Sequence, residues 1–164
     1  MPHIHKILDY TASGFIIHPD QPKILLLKHK KIGKWLQPGG HIELDENPIQ
    51  ALYHEIEEET GLKSNQYTIL EPAISPKPTG TNVTNTSLPL PFYINEHFWD
   101  GLGPHKHVDF SYLIKSKSDA LTDNPDGASA IGWFTMQDIN ELYDSGDLYD
   151  DTLAIAKWIF ENKV

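Results

Sequence analysis

The chain has 164 residues, of which 23 are acidic and 13 are lysines, so its formal net charge is −10 at pH 7. Hydrophobic residues make up 39% of the sequence, which is enough for a buried core and excludes an intrinsically disordered chain. An acidic chain without arginine is not expected to bind duplex nucleic acid or an anionic membrane. A small phosphorylated ligand stays compatible, because a metal ion can supply the missing positive charge.

Cysteine is absent, which excludes disulfides, thiolate nucleophiles and cysteine-based metal sites. The N-terminal residues contain no apolar signal segment, and the aliphatic run at 24–27 is too short to cross a bilayer. The sequence therefore predicts a single domain over residues 1–164, located in the cytoplasm.

The first third of the chain is predicted to form strands. Apolar segments rich in β-branched residues at 11–18 and 23–29 flank a turn at 19–22, so we expect a hairpin. The segment 35–36 leads into Pro38-Gly39-Gly40, which we expect to continue neither a strand nor a helix.

A helix is predicted over residues 48–60. Asn47 is suited to the N-cap, Pro48 to the first helical position and Gly61 to the position after the C-terminus. Four apolar residues fall within about 100° of arc and predict a buried face, namely Ile49, Leu52, Tyr53 and Ile56.

The rest of the chain mixes strands and helices. Five prolines lie in a long loop at 71–91, which is a candidate lid. Strands are expected at 92–99, 107–114 and 132–134, and helices at 136–143 and 151–162. The last helix is predicted to bury Ile155, Trp158 and Ile159. This order favours an α+β fold or an α/β/α sandwich over a doubly wound parallel sheet.

Three glutamates share one face at the end of the predicted helix: Glu55, Glu58 and Glu59. Like charges at this spacing repel one another, and the helix C-terminus already carries partial negative charge. A hard divalent cation would resolve this conflict, and Gly39 and Gly40 would let a backbone carbonyl approach it. An acidic helix end that is merely solvated remains the alternative.

The segment 40–62 resembles the Nudix box, in which G, five residues, E and seven residues precede R-E-U-x-E-E-x-G-U, where U is aliphatic. The chain departs from this pattern only at His54, where the family has arginine. The matching residues are Gly40, Glu46, Glu55, Ile56, Glu58, Glu59, Gly61 and Leu62. The segments 35–39 and 132–134 also resemble the flanks of the box in this family.

The resemblance implies a Nudix-type α/β/α sandwich with a mixed central sheet and hydrolysis of a diphosphate linkage in a nucleoside diphosphate-X substrate. Mg²⁺, or Mn²⁺, would be bound by Glu55, Glu58 and Glu59 with the Gly40 carbonyl. Glu55, Glu58 and Glu46 are the candidate catalytic residues. An acid outside the box, Glu96 or Asp109, could instead activate water. The histidine at position 54 has fewer donors than arginine to orient these glutamates.

A second polar cluster lies at strand spacing. His105, His107 and Asp109 would project from one sheet face and could line the substrate pocket, bind a transition metal or simply be solvated. Lys34 belongs to a basic group with Lys28 and two neighbouring lysines, and either contacts a substrate phosphate or lies on an exposed hairpin end. Trp35 is expected to pack in the core.

The sequence is compatible with two functions. The first is a metal-dependent hydrolase of a nucleoside triphosphate, nucleotide sugar or ADP-ribose type of substrate. The second is a catalytically weakened Nudix domain that binds a nucleotide or a protein, motivated by His54 in place of arginine. The expected partner is a small nucleotide-like diphosphate, with no membrane or nucleic-acid duplex, and a homodimer is a further possible state.

Overall fold

Two long parallel strands form the centre of the sheet in the computed structural model, which describes residues 8–72, 86–99, 105–122 and 125–163. β1 (Leu8–Ile17) pairs in parallel with β7 (His105–Ser116) along its whole length. The remaining pairings of the eight-stranded sheet are antiparallel. They involve β2 (Ile24–His29), β3 (Trp35–Leu36), β4 (Gly39–His41), β5 (Tyr67–Ile69), β6 (Tyr93–Trp99) and β8 (Ala128–Phe134).

The described residues form three helices beside this sheet: α1 (Pro48–Thr60), α2 (Met136–Asp144) and α3 (Asp150–Asn162). The predicted boundaries of α1 are confirmed. The Asn47 side chain accepts hydrogen bonds from the first turn, and Gly61 ends the helix at φ +79°, which favours glycine. None of the helices among the described residues is long and apolar enough to cross a membrane.

The two faces of the sheet carry separate cores. Alternate residues of β1 and β7, including Ala12 and Ile114, pack against Leu52 and Ile56 of α1. The residues between them, such as Phe15, lie in the second core, formed with α2 and α3 through Ile139, Leu153, Ala156 and Ile159. The helices therefore cover both faces, and the predicted α+β sandwich with a mixed sheet is confirmed.

The close packing of α1 depends on Gly14. A Cβ atom at this position of β1 would lie 2.9 Å from Cδ1 of Ile114 and 3.2 Å from Cδ1 of Ile56. The missing side chain lets the helix approach the sheet, which brings the glutamates of α1 close to β4.

Several strand predictions require correction. Gly39 and Gly40 form β4 with His41 and pair with β1, although we expected this segment to continue no strand, because a partner strand supplies hydrogen bonds to glycine backbone. The predicted hairpin is reduced to a single pair, Ile17 with Ile24, since β2 pairs mainly with β8. Strand β5 and the preceding 3₁₀ turn, Ser64–Gln66, were not predicted.

Two predicted core residues are largely exposed. Trp158 is 42% exposed, although its ring stacks on that of Phe92. Tyr53 is 38% exposed and contacts the edge of the core through Tyr67. Trp35, in contrast, packs against Phe134 as expected. Most of the predicted lid at 71–91 lies outside the described residues, as does the turn at 100–104.

Candidate active site

The carboxylates of Glu55 and Glu59 lie directly against β4. The backbone N–H of Gly39 donates a 2.8 Å hydrogen bond to Oε2 of Glu59. A Cβ atom on Gly40 would lie 2.2 Å from Oε1 of Glu55, so that carboxylate occupies the space a side chain would need. The glycines of β4 thus position two of the three predicted metal ligands.

His54 connects the two remaining acids of the motif. Its Nε2 atom lies 2.9 Å from Oε1 of Glu58, one turn further along α1, and its Nδ1 atom lies 3.3 Å from Oε1 of Glu46. An ionised carboxylate can only accept a hydrogen bond, so the imidazole donates to both acids only when both of its nitrogens are protonated. The hydrogen bond to Glu58 is the main cause that raises the pKa of His54, and the charges of the surrounding glutamates add to it.

The electrostatics of the site favour a bound cation. Burial, together with the charges of neighbouring carboxylates, raises the pKa of Glu55 to about 7 and the pKa of Glu59 to about 8. The hydrogen bond from Gly39 opposes this effect at Glu59. Carboxylates that are crowded and buried in this way fit a hard divalent ion, because its charge offsets both their desolvation and their mutual repulsion.

Asp126 is an acid near this site that the sequence analysis missed. Its backbone N–H donates to the carbonyl oxygen of Glu58 at 3.3 Å, and its charge raises the pKa values of Glu55 and Glu59. The turn before β8 therefore lies beside the end of α1. The sequence signal was an Asp-Gly turn, but nothing local in the sequence connects this turn with the helix.

The polar residues predicted on β7 lie on the sheet face opposite α1. The carboxylate of Asp109 accepts hydrogen bonds from three hydroxyl groups, those of Thr11, Ser13 and Ser111. His107 and His105 instead lie next to each other, with 3.0 Å between their Nε2 atoms. The predicted cluster is thus divided between a hydroxyl network and a pair of histidines, and its contact with substrate stays a prediction.

The remaining candidates have other partners. The Lys34 ammonium donates to the carbonyl of Gly146 and lies over the ring of Tyr149, so it contacts the connection between α2 and α3. Glu96 on β6 forms an ion pair of 2.6 Å with Lys106. Substrate binding by Lys34 stays a prediction, and so does the activation of water by Glu96.

Comparison with known proteins identifies the family. The sequence model of the NUDIX domain matches residues 9–153, and the chain therefore belongs to the Nudix hydrolase family. A crystal structure of a NUDIX family hydrolase from Clostridium perfringens is 25% identical, with a TM-score of 0.70 over 93% of this chain and 96% of that chain.

Curated relatives are similar over shorter segments. A probable DHNTP pyrophosphohydrolase of Lactococcus lactis subsp. cremoris is 28% identical over 112 residues, which cover 68% of this chain and 57% of that protein. An RNA pyrophosphohydrolase of Ruthia magnifica subsp. Calyptogena magnifica is 38% identical over 62 residues, or 37% of this chain and 35% of that protein. These matches span less than two thirds of either relative.

Proposed function

We propose that the protein is a divalent-metal-dependent hydrolase that cleaves a phosphoanhydride bond in a nucleoside diphosphate-X type of substrate. The observation that carries this proposal is the placement of Glu55 and Glu59 against the glycines of β4, with Glu58 held by His54. The names of the two curated relatives, both pyrophosphohydrolases, support the same bond class.

The metal ligands would be the carboxylates of Glu55, Glu58 and Glu59 with the carbonyl oxygen of Gly40. Oxygen ligands of this kind favour Mg²⁺, with Mn²⁺ as a substitute. When bound, such ions neutralise the phosphate oxygens that otherwise repel an attacking water and stabilise the leaving phosphate.

The acids of the site would also orient one another and accept a proton from the attacking water. Glu58, which is about half exposed, and Glu55 are the two candidates to accept the proton of the attacking water. Glu46 contacts His54 rather than the other glutamates, so we assign it a positioning role, in which it fixes the imidazole that holds Glu58. Asp126 would add negative charge at the edge of the site and strengthen cation binding.

The alternative function is a domain that binds its ligand without hydrolysing it. The reason to consider it is that position 54 holds histidine where the family has arginine. The two contacts of His54 with Glu46 and Glu58 weaken this motivation, because the histidine forms the ion pairs that would orient the motif. The intact set of carboxylates also favours the enzyme.

A substrate panel tests the proposal. Nucleoside triphosphates, nucleotide sugars, ADP-ribose and dihydroneopterin triphosphate would be incubated with the protein in Mg²⁺ or in EDTA. We expect release of phosphate, pyrophosphate or a nucleoside monophosphate with Mg²⁺ alone, and a loss of at least about 100-fold in Glu58→Gln. Glu57→Gln is the matched control, because Glu57 is exposed and lies on another face of α1.

One outcome would contradict the enzyme, and another would contradict the role of Glu58. Ligand-induced thermal stabilisation without any turnover would indicate the alternative function instead. Equal losses in Glu57→Gln and Glu58→Gln would show that the helix tolerates no change in charge, rather than that Glu58 acts in the reaction.

A further inference from the structure

Four potential metal ligands converge on the sheet face that points away from α1. They are Asp9 on β1, His41 on β4, and His105 and His107 on β7, and together they form what we call the histidine cluster. The strand register explains the convergence: Asp9 is the partner of His107, and His41 is the partner of Thr11, which shares a face with Asp9.

The spacing of the ligand atoms fits one metal ion. One ligand atom from each residue lies within 4.8 Å of the other three. Nε2 of His105 is 3.0 Å from Nε2 of His107 and 3.6 Å from Oδ2 of Asp9, and Nε2 of His41 is 3.9 Å from the same oxygen. Metal–nitrogen bonds of about 2.0–2.1 Å at tetrahedral angles place neighbouring ligand atoms about 3.3 Å apart.

The environment also suits a metal rather than a solvated surface. Asp9 and His107 are both 5% exposed, and His41 and His105 are half-buried. Burial, together with the charges of the adjacent imidazoles, lowers the pKa of His107 to about 4. Asp9 is a buried carboxylate, and a cation beside it would offset the cost of its desolvation.

We propose that the histidine cluster is a structural transition-metal site of the Zn²⁺ type, separate from the site for the catalytic ions. Three imidazole nitrogens and one carboxylate oxygen are a ligand set for Zn²⁺, whereas the site at α1 offers oxygen ligands alone. Four protein ligands complete a tetrahedral shell and leave no position for a reacting water, which indicates a structural role.

The position of the cluster suggests what the ion would stabilise. It joins three strands, and the shortest of them, β4, carries Gly39 and Gly40 next to His41. A metal that ties His41 to Asp9 and His107 would therefore also fix the backbone on which Glu55 and Glu59 rest. Removal of the metal would loosen β4 before it affected the rest of the sheet.

The test is a titration of the metal-stripped protein with Zn²⁺ in the presence of excess Mg²⁺, which would occupy the glutamates of α1. We expect one equivalent of Zn²⁺ by calorimetry, a rise in melting temperature, and the visible absorption of four-coordinate Co²⁺ when cobalt replaces zinc. His105→Gln and Asp9→Asn should each weaken binding by at least about tenfold.

His97→Gln is the matched control, because its ring contacts that of His107 but its Nδ1 atom lies 2.8 Å from Oδ1 of Asn95. We expect this variant to bind Zn²⁺ like the unaltered protein. Circular dichroism of each variant verifies that it folds. Glu58→Gln should likewise leave Zn²⁺ binding unchanged, which keeps this proposal independent of the hydrolase.

Three results would overturn the proposal. One is the absence of stoichiometric Zn²⁺ binding in excess Mg²⁺. Another is equal weakening by His97→Gln and His105→Gln, which would show nonspecific binding among the nine histidines of the chain. The third is loss of Zn²⁺ binding in Glu58→Gln, which would place the ion at α1.

Discussion

His54 and Glu58 form an ion pair one helical turn apart, with 2.9 Å between Nε2 and Oε1. The other ring nitrogen of His54 faces Glu46 at 3.3 Å. A histidine at this position can therefore contact two acids at once, although it lacks the permanent charge and the planar fork of arginine. The substitution preserves the connection between the two acids and makes it dependent on protonation of the ring.

The first prediction concerns this pair. Substitution His54→Ala should lower the rate of Mg²⁺-dependent hydrolysis by about 10–100-fold, because Glu58 and Glu46 lose the group that orients them. His54→Arg should retain or raise the rate, since arginine can contact both carboxylates. Steady-state kinetics on the best substrate of the panel would measure both. Full activity in His54→Ala would show that the contact has no role in positioning.

The second prediction concerns the space between β4 and α1. In Gly40→Ala the new methyl group would displace the Glu55 carboxylate, which now lies 2.2 Å from that Cβ position, while the flexible side chain allows the fold to survive. We expect Mg²⁺ binding to weaken by at least about tenfold, because the displaced carboxylate no longer lies where it would bind the ion. The control is Gly132→Ala, whose Cβ atom would meet nothing closer than 3.4 Å. Equal Mg²⁺ affinity in both variants would contradict the placement of Glu55.

Local sequence patterns predicted α1 and its glutamates well, because their determinants are adjacent in the chain. Asn47, Pro48 and Gly61 define the ends of the helix, and helical periodicity alone places Glu55, Glu58 and Glu59 on one face. The position of His41 could not be predicted in this way. Its proximity to Asp9 and His107 depends on strand pairings between distant segments.

The wrong or missing predictions concern residues whose structure depends on contacts with distant segments of the chain. Glycine has a low intrinsic preference for strands, so β4 was not expected, yet pairing with β1 overrides that preference. Ile159 is buried as predicted, but Trp158 on the same predicted face of α3 is exposed, because α3 turns Ala156 rather than Trp158 towards the sheet. Asp126 was missed because the turn that carries it meets the helix only through tertiary packing.

The third prediction is a pH dependence of the metal-free protein. Glu55 and Glu59 have pKa values of about 7 and about 8 in the folded state, above the value of about 4.3 for an unfolded chain. The folded state therefore binds more protons between these limits, and the free energy of unfolding falls as the pH rises through this range. Mg²⁺ should offset that loss, since it binds the ionised carboxylates.

Melting temperatures in EDTA test this effect. Glu59→Gln keeps an acceptor for Gly39 but cannot ionise. The variant should therefore become more stable relative to the unaltered protein as the pH rises from 5 to 8. A difference in melting temperature that is the same at both pH values would refute the raised pKa of Glu59.

The fourth prediction concerns a buried hydroxyl at the end of α1. Thr60 is fully buried, and its Oγ1 donates to the carbonyl of Ile56 at 2.6 Å and accepts from the N–H of Leu62 at 3.0 Å. Thr60→Val leaves that buried N–H without its acceptor and should cost about 1–3 kcal/mol in the free energy of unfolding. Denaturant unfolding would measure the loss, with Thr68→Val on the exposed side of β5 as control. Equal stability of the two variants would contradict this account.

We propose that the crowded glutamates of α1 bind divalent cations. Calorimetric titration of the metal-stripped protein with Mg²⁺ and Mn²⁺ would measure this binding. We expect saturable binding that is strongly weakened in Glu55→Gln and Glu58→Gln and unchanged in Glu57→Gln. Binding of the same strength in all of these variants, or no binding by the unaltered protein, would contradict it.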